Sequence, residues 1–121
     1  VDAFWGVNGK QTALVATYLA TDHPIYVTPT IIQEVRQGVR DDRYLIEKEG
    51  ILALSVLKLD PVEAAIGAAD LYRSLHRKGV TIRKPNDCLI VHYALLYDIP
   101  ILHNDVDFDQ IARHTALRLV V

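Results

Sequence analysis

The chain is poor in the features that would place it outside an ordinary reducing interior. It has a single cysteine, Cys88, which rules out an internal disulfide and fits a cytoplasmic location. No apolar run approaches the roughly 20 residues that span a bilayer, and the opening residues carry no signal-peptide pattern, so no membrane partner is expected. The formal charge is -2, and no overall basic field favours indiscriminate coating of nucleic acid. That does not exclude an enzyme of nucleic acids whose own site is acidic. HExxH, GxSxG and a phosphate-cradling glycine loop are all absent. Repeats, linkers and low-complexity stretches are absent too.

What remains is 121 residues, 50% of them hydrophobic and 23% charged, one domain's worth of chain with enough apolar material for a sizeable core. Val1-Asp2 reads as the last stump of a first strand, whose natural start is missing or which is unusually short or altered. Apolar spacing predicts a helix over 9–20, a strand over 25–27, and a helix opened by Thr30 as N-cap with Ile31, Ile32, Val35 and Val39 on one face. A more solvated helix is expected over 41–48 and a strand over 56–59. Asp60-Pro61-Val62-Glu63 is a helix start with capping-box character. Val62, Ala65, Ile66, Ala69 and Tyr72 form its apolar stripe, and Lys78-Gly79 ends it. Pro85-Asn86-Asp87 opens a further helix with Leu89, Ile90, Tyr93 and Ala94 inward. A strand over 99–103, a short helix over 107–113 and a last strand over 117–121 complete the chain. Strands alternating with helices argue for a mainly parallel sheet covered by helices on both faces.

Five acidic residues stand at informative places in this scheme: Asp2, Glu34, Asp87, Asp105 and Asp107. In open α/β sheets, sites form outside the carboxyl ends of the strands. Asp2 ends a strand, and Asp105 and Asp107 follow one. Asp87 lies in the first turn of a helix, and Glu34 about one turn into another. Right-handed crossovers bring such segments to one sheet edge. Two carboxylates about 5 Å apart repel by roughly 3 kcal/mol at an effective dielectric of 20, so a cluster calls for a divalent cation or raised pKa values. All-oxygen ligands favour Mg²⁺, with Mn²⁺ as a substitute, and the matching chemistry is metal-assisted phosphodiester hydrolysis. Asp60, Asp87 and Asp107 could equally serve only as helix caps, and Glu34 could face solvent.

Four segments resemble PIN-domain ribonucleases of the VapC toxin type. They are Thr28-Pro29-Thr30-Ile31-Ile32-Gln33-Glu34-Val35, Leu71-Tyr72-Arg73 through Gly79-Val80-Thr81-Ile82-Arg83, Asn86-Asp87-Cys88-Leu89-Ile90, and Leu102-His103-Asn104-Asp105-Val106-Asp107-Phe108. The resemblance implies a PIN-like three-layer α/β/α domain over residues 1–121. It implies a Mg²⁺-dependent endoribonuclease, the toxin of a toxin–antitoxin pair, homodimeric and inhibited by a small antitoxin. Asp2, Glu34, Asp87 and Asp107 match the family's catalytic acids, and Asp105 a supporting metal position. Ala3-Phe4-Trp5-Gly6-Val7-Asn8 departs from the hydroxyl-containing segment usual after the first aspartate. This motivates an alternative, a PIN-like module that binds antitoxin or RNA without turnover. A phospho-acceptor receiver domain fits poorly, because its acceptor aspartate and late lysine have no counterparts here.

Arg83 and Lys84 immediately precede the Asp87 helix and are the best-placed phosphate contacts. His103 adjoins the acidic residues and could touch RNA, although a structural role at the strand end is the more ordinary reading. His23, His76 and His114 read as surface residues, and His92 as packing or partly exposed. Cys88 lacks a basic neighbour for thiolate activation and reads as core.

Overall fold

The computed structural model describes residues 25–37, 55–103 and 105–120. The helices read over 9–20 and 41–48, with Asp2 and the 3–8 segment, lie outside the described residues. The chain divides into two compact units, Val1–Lys58 and Leu59–Val121.

In the first unit β1 (Tyr26–Val27) is followed at once by α1 (Pro29–Gln37), and β1 pairs in parallel with β2 (Ser55–Val56). Val27 is fully buried and accepts from the Leu57 N–H at 2.8 Å through its carbonyl. The helix starts two residues before the position expected, and Thr28 rather than Thr30 caps it, its Oγ1 accepting from the Ile31 N–H at 3.2 Å. Pro29 explains the shift. Its fixed φ suits the first helical position and its missing N–H is not needed there.

The second unit carries α2 (Pro61–Arg77), α3 (Pro85–Tyr97) and α4 (Val106–His114). Asp60 caps α2 as the sequence indicates, with Oδ2 accepting from the Glu63 N–H at 3.0 Å. At its other end Gly79 takes φ +81°, a conformation that favours glycine, and lets Val80 donate back to the Leu75 carbonyl at 3.0 Å. Lys78 Nζ then donates to the His114 carbonyl at 2.9 Å, tying the ends of α2 and α4 together. The core gathers Leu75, Val80, Ile82, Cys88, Ile90, Val91, Tyr93, Phe108 and Ile111. Asp98 ends α3 at φ 53°, and Arg118 Nη2 donates to both its carbonyl and its carboxylate.

Two expectations are corrected here. The apolar stripe of α2 is not its packed face: Val62 and Ile66 are 66% and 57% exposed, Tyr72 is 38% exposed, and Ala65 and Ala69 are exposed as well. The buried side runs instead through Ala64 and Leu75, with Gly67 on the close approach to α3. The second correction concerns the final strands. Among the described residues, 99–103 and 117–121 contribute a single parallel bridge, Ile101 to Leu119. Pro100 has no N–H to donate, which limits any ladder beside Ile101.

A β-carbon on Gly67 would collide with the His92 ring. Gly67→Ala is therefore expected to destabilise the protein by up to about 2 kcal/mol, because overpacking outweighs a helix-propensity gain of roughly 1 kcal/mol. In a His92→Ala background the same change is expected to stabilise. Urea denaturation of the four variants of this cycle checks the reversal of sign.

Candidate metal centre

Three of the sequence-predicted acids meet in the second unit. One carboxylate oxygen each from Asp87, Asp105 and Asp107 lies within 4.8 Å of the other two. Local chemistry positions each of them. Pro85 starts α3, leaving Asp87 in its first turn, where the helix dipole favours negative charge. Asp105 is the N-cap of α4, with Oδ1 accepting from the Asp107 N–H at 2.9 Å, an arrangement worth about 1 kcal/mol to a helix. Neither Asp87 nor Asp107 is a cap. The reading of these two as helix caps alone is thereby set aside, and both are buried, at 5% and 8% exposure.

Burying charge without a partner is expensive, and two cations from one short segment offset part of it. Arg83 grips Asp107 as a fork, Nε to Oδ2 at 3.2 Å and Nη2 to Oδ1 at 3.0 Å. Lys84 Nζ lies 3.3 Å from Asp105 Oδ2. Hydrogen bonding from the Asp107 backbone, then from Lys84, holds Asp105 below the usual carboxylate range against the opposing effect of its partial burial. The hydrogen bonds and charge of Asp107 raise the pKa of Arg83, so its guanidinium stays protonated. Asp87 interacts with its surroundings, and its charge reaches both Arg83 and Cys88. Its Oδ2 atom is buried and receives no hydrogen bond.

His103 takes the structural role at the strand end that the sequence favoured. Its Nδ1 accepts from the Asp105 N–H at 3.0 Å, which places the ring proton on Nε2, 3.4 Å from Asp109 Oδ1. The ring also leans on Phe108, 5.3 Å between centroids. Its side chain is only 12% exposed. Cys88 is buried beside Asp87, and desolvation, then the Asp87 charge, pushes its thiol up to about 11. It stays neutral packing at physiological pH. His76 and His114 are exposed, His76 stacked on Tyr72. Glu34 is half-buried on α1, in the other unit.

A parallel α/β scaffold with a carboxylate trio at helix starts defines a class of acidic-site domains suited to hard cations. The chain belongs to the PIN-domain family: the PIN domain model matches residues 3–114. Its α/β/α fold is the one expected from the sequence. The chain is 38% identical over 89 residues to the VapC ribonuclease Mb1587 of Mycobacterium bovis and to the ribonuclease VapC11 of Mycobacterium tuberculosis. Each alignment covers 73% of this chain and 66% of the relative, so the match spans just under two thirds of those proteins.

Proposed function

We propose that this chain is a divalent-metal-dependent endoribonuclease, with Mg²⁺ as the physiological ion and Mn²⁺ as a substitute, acting in the cytoplasm as the toxin of a toxin–antitoxin pair. The observation that carries this reading is the convergence of Asp87, Asp105 and Asp107. Three hard oxygen donors with no cysteine or histidine ligand suit Mg²⁺ or Mn²⁺ better than zinc, so the residues present fit the ion. Asp87, Asp105 and Asp107 would hold it. When bound, it would supply an activated water and neutralise charge developing on the phosphate.

The chain's own groups have distinct tasks in this reading. Asp87 and Asp107 are fixed by burial and by their helices, so little reorganisation is needed to present their oxygens. Asp105, held ionised by the Asp107 N–H, orders the first turn of α4 while offering Oδ2. Arg83 and Lys84 stand at the rim of the cluster, where an RNA phosphate would arrive. For Asp2 and Glu34 the catalytic assignment rests on the family pattern alone. The exposed face of α2, with Val62, Ile66 and Tyr72, offers an apolar surface for a second copy or an antitoxin. The names of the relatives favour the ribonuclease reading over the non-catalytic module.

Incubation of the purified protein with a mixed RNA pool, with Mg²⁺ or with EDTA, tests this function. Cleavage is expected with Mg²⁺, arrest with EDTA, and recovery on adding Mn²⁺. RNA left intact in Mg²⁺ and Mn²⁺ alike would support the alternative of binding without turnover.

A further inference from the structure

The cations of the site sit on the carboxylates themselves. Both oxygens of Asp107 are taken by the Arg83 fork, and Asp105 gives Oδ1 to the Asp107 N–H and Oδ2 to Lys84. Two cations thus face three carboxylates that would otherwise repel one another across less than 5 Å. The two sides of the pair differ in freedom. The Asp107 side chain is 10% exposed, whereas that of Arg83 is 65% exposed. The Lys84 and Asp105 side chains are 63% and 28% exposed. The carboxylates are held in place, while the long cationic side chains can swing into water with little loss of burial.

We propose that Arg83 and Lys84 are a resident counter-ion for the carboxylate cluster, occupying Asp107 and Asp105 until a divalent ion displaces them. This rests on the reading that the cluster binds such an ion. Metal uptake is then an exchange of cations, in which a bidentate guanidinium and an ammonium give way to one doubly charged ion. The exchange accounts for how the first turns of α3 and α4 can stay together before metal arrives. It also sets a threshold, because the metal must compete with Arg83 for the same two oxygens. Arg83 takes the larger share of this role, since its fork covers both oxygens of the more buried acid.

Calorimetric titration of Mn²⁺ into wild-type protein, Arg83→Gln and Arg83→Lys tests the exchange, with melting curves in EDTA alongside. Arg83→Gln is expected to bind Mn²⁺ on the order of fivefold more tightly and to melt at a lower temperature in EDTA, magnitudes typical of a largely exposed pair. Arg83→Lys keeps the charge and loses the fork, so it is expected to fall between the two. Should Arg83→Gln fail to fold, Arg83→Lys and Lys84→Gln decide the matter, each expected to bind Mn²⁺ more tightly than wild type. Unchanged or weaker Mn²⁺ binding in the folded variants overturns the exchange while leaving the metal site intact. Arg83→Lys matching wild type while Arg83→Gln tightens also overturns it, because charge at a distance would then suffice. A wild-type protein that takes up no Mn²⁺ overturns the metal reading itself.

Discussion

An Asp87→Asn variant is expected to lose RNA cleavage by about a hundredfold or more, while its melting temperature without metal stays level or rises. The size of the loss follows from taking one of three hard donors from the cluster. Perturbing even the outer partners of a metal site commonly costs about 10–100-fold in affinity or activity, and Asp87 would be a direct ligand. The sign on stability is the more discriminating half. Asparagine keeps the shape of aspartate and forfeits only its charge, which at the first turn of α3 gains roughly 0.3–1 kcal/mol from the helix dipole. Against that stands repulsion from Asp105 and Asp107, nominally about 3 kcal/mol for a pair at this spacing and an effective dielectric of 20, lowered but not cancelled by Arg83 and Lys84, two cations against three carboxylates. Repulsion wins, so neutralising Asp87 relieves the fold while disabling the site. Cleavage assays and melting curves on the same preparation check both halves. A general weakening of the fold would point instead to a structural role for the carboxylate.

The reverse pattern is expected at Ile111. It is fully buried, one helical turn beyond Asp107 on α4, and with Phe108 it seats that helix in the core. Ile111→Ala removes three heavy atoms from a position with no solvent access, a change that typically costs about 2–5 kcal/mol. For a chain of this size that is a fall in melting temperature of about 10 °C or more. Asp105 and Asp107 stand at the first turn of α4, anchored by the Asp105 cap and the Arg83 fork, and Asp87 stands on α3. Cleavage well below the transition is therefore expected to persist. Asp87→Asn and Ile111→Ala together separate chemistry from stability.

The trio of aspartates was legible because its cues are local. Pro85 fixes a helix start, so Asp87 two residues later falls in the first turn. Asp105-Val106-Asp107 reads as a cap followed by a first turn, although the cap is Asp105 and not Asp107. Partners far along the chain were not legible. Arg83 and Lys84 were read as phosphate contacts from their place before α3, and nothing in the spacing reveals that they reach acids more than 20 residues later. For His103 the structural role was legible but its partner was not, because acceptance from the Asp105 N–H depends on how the loop folds back. The α2 stripe shows the limit of periodicity. A 3.6-residue repeat reveals that Val62, Ile66 and Tyr72 share a face, but the side that packs against α3 follows from the close approach that Gly67 permits. Pro100 could have tempered the strand read over 99–103, since a missing donor weakens any ladder it enters.

The central claim is that Asp87, Asp105 and Asp107 form a binding site for a divalent ion. The most direct measurement is a calorimetric titration of Mn²⁺ into wild-type protein and Asp87→Asn side by side, both checked as folded by circular dichroism. Saturable binding in the wild type and its loss in the variant are the expected result. Equal binding in the two, or none in the wild type, would contradict the claim.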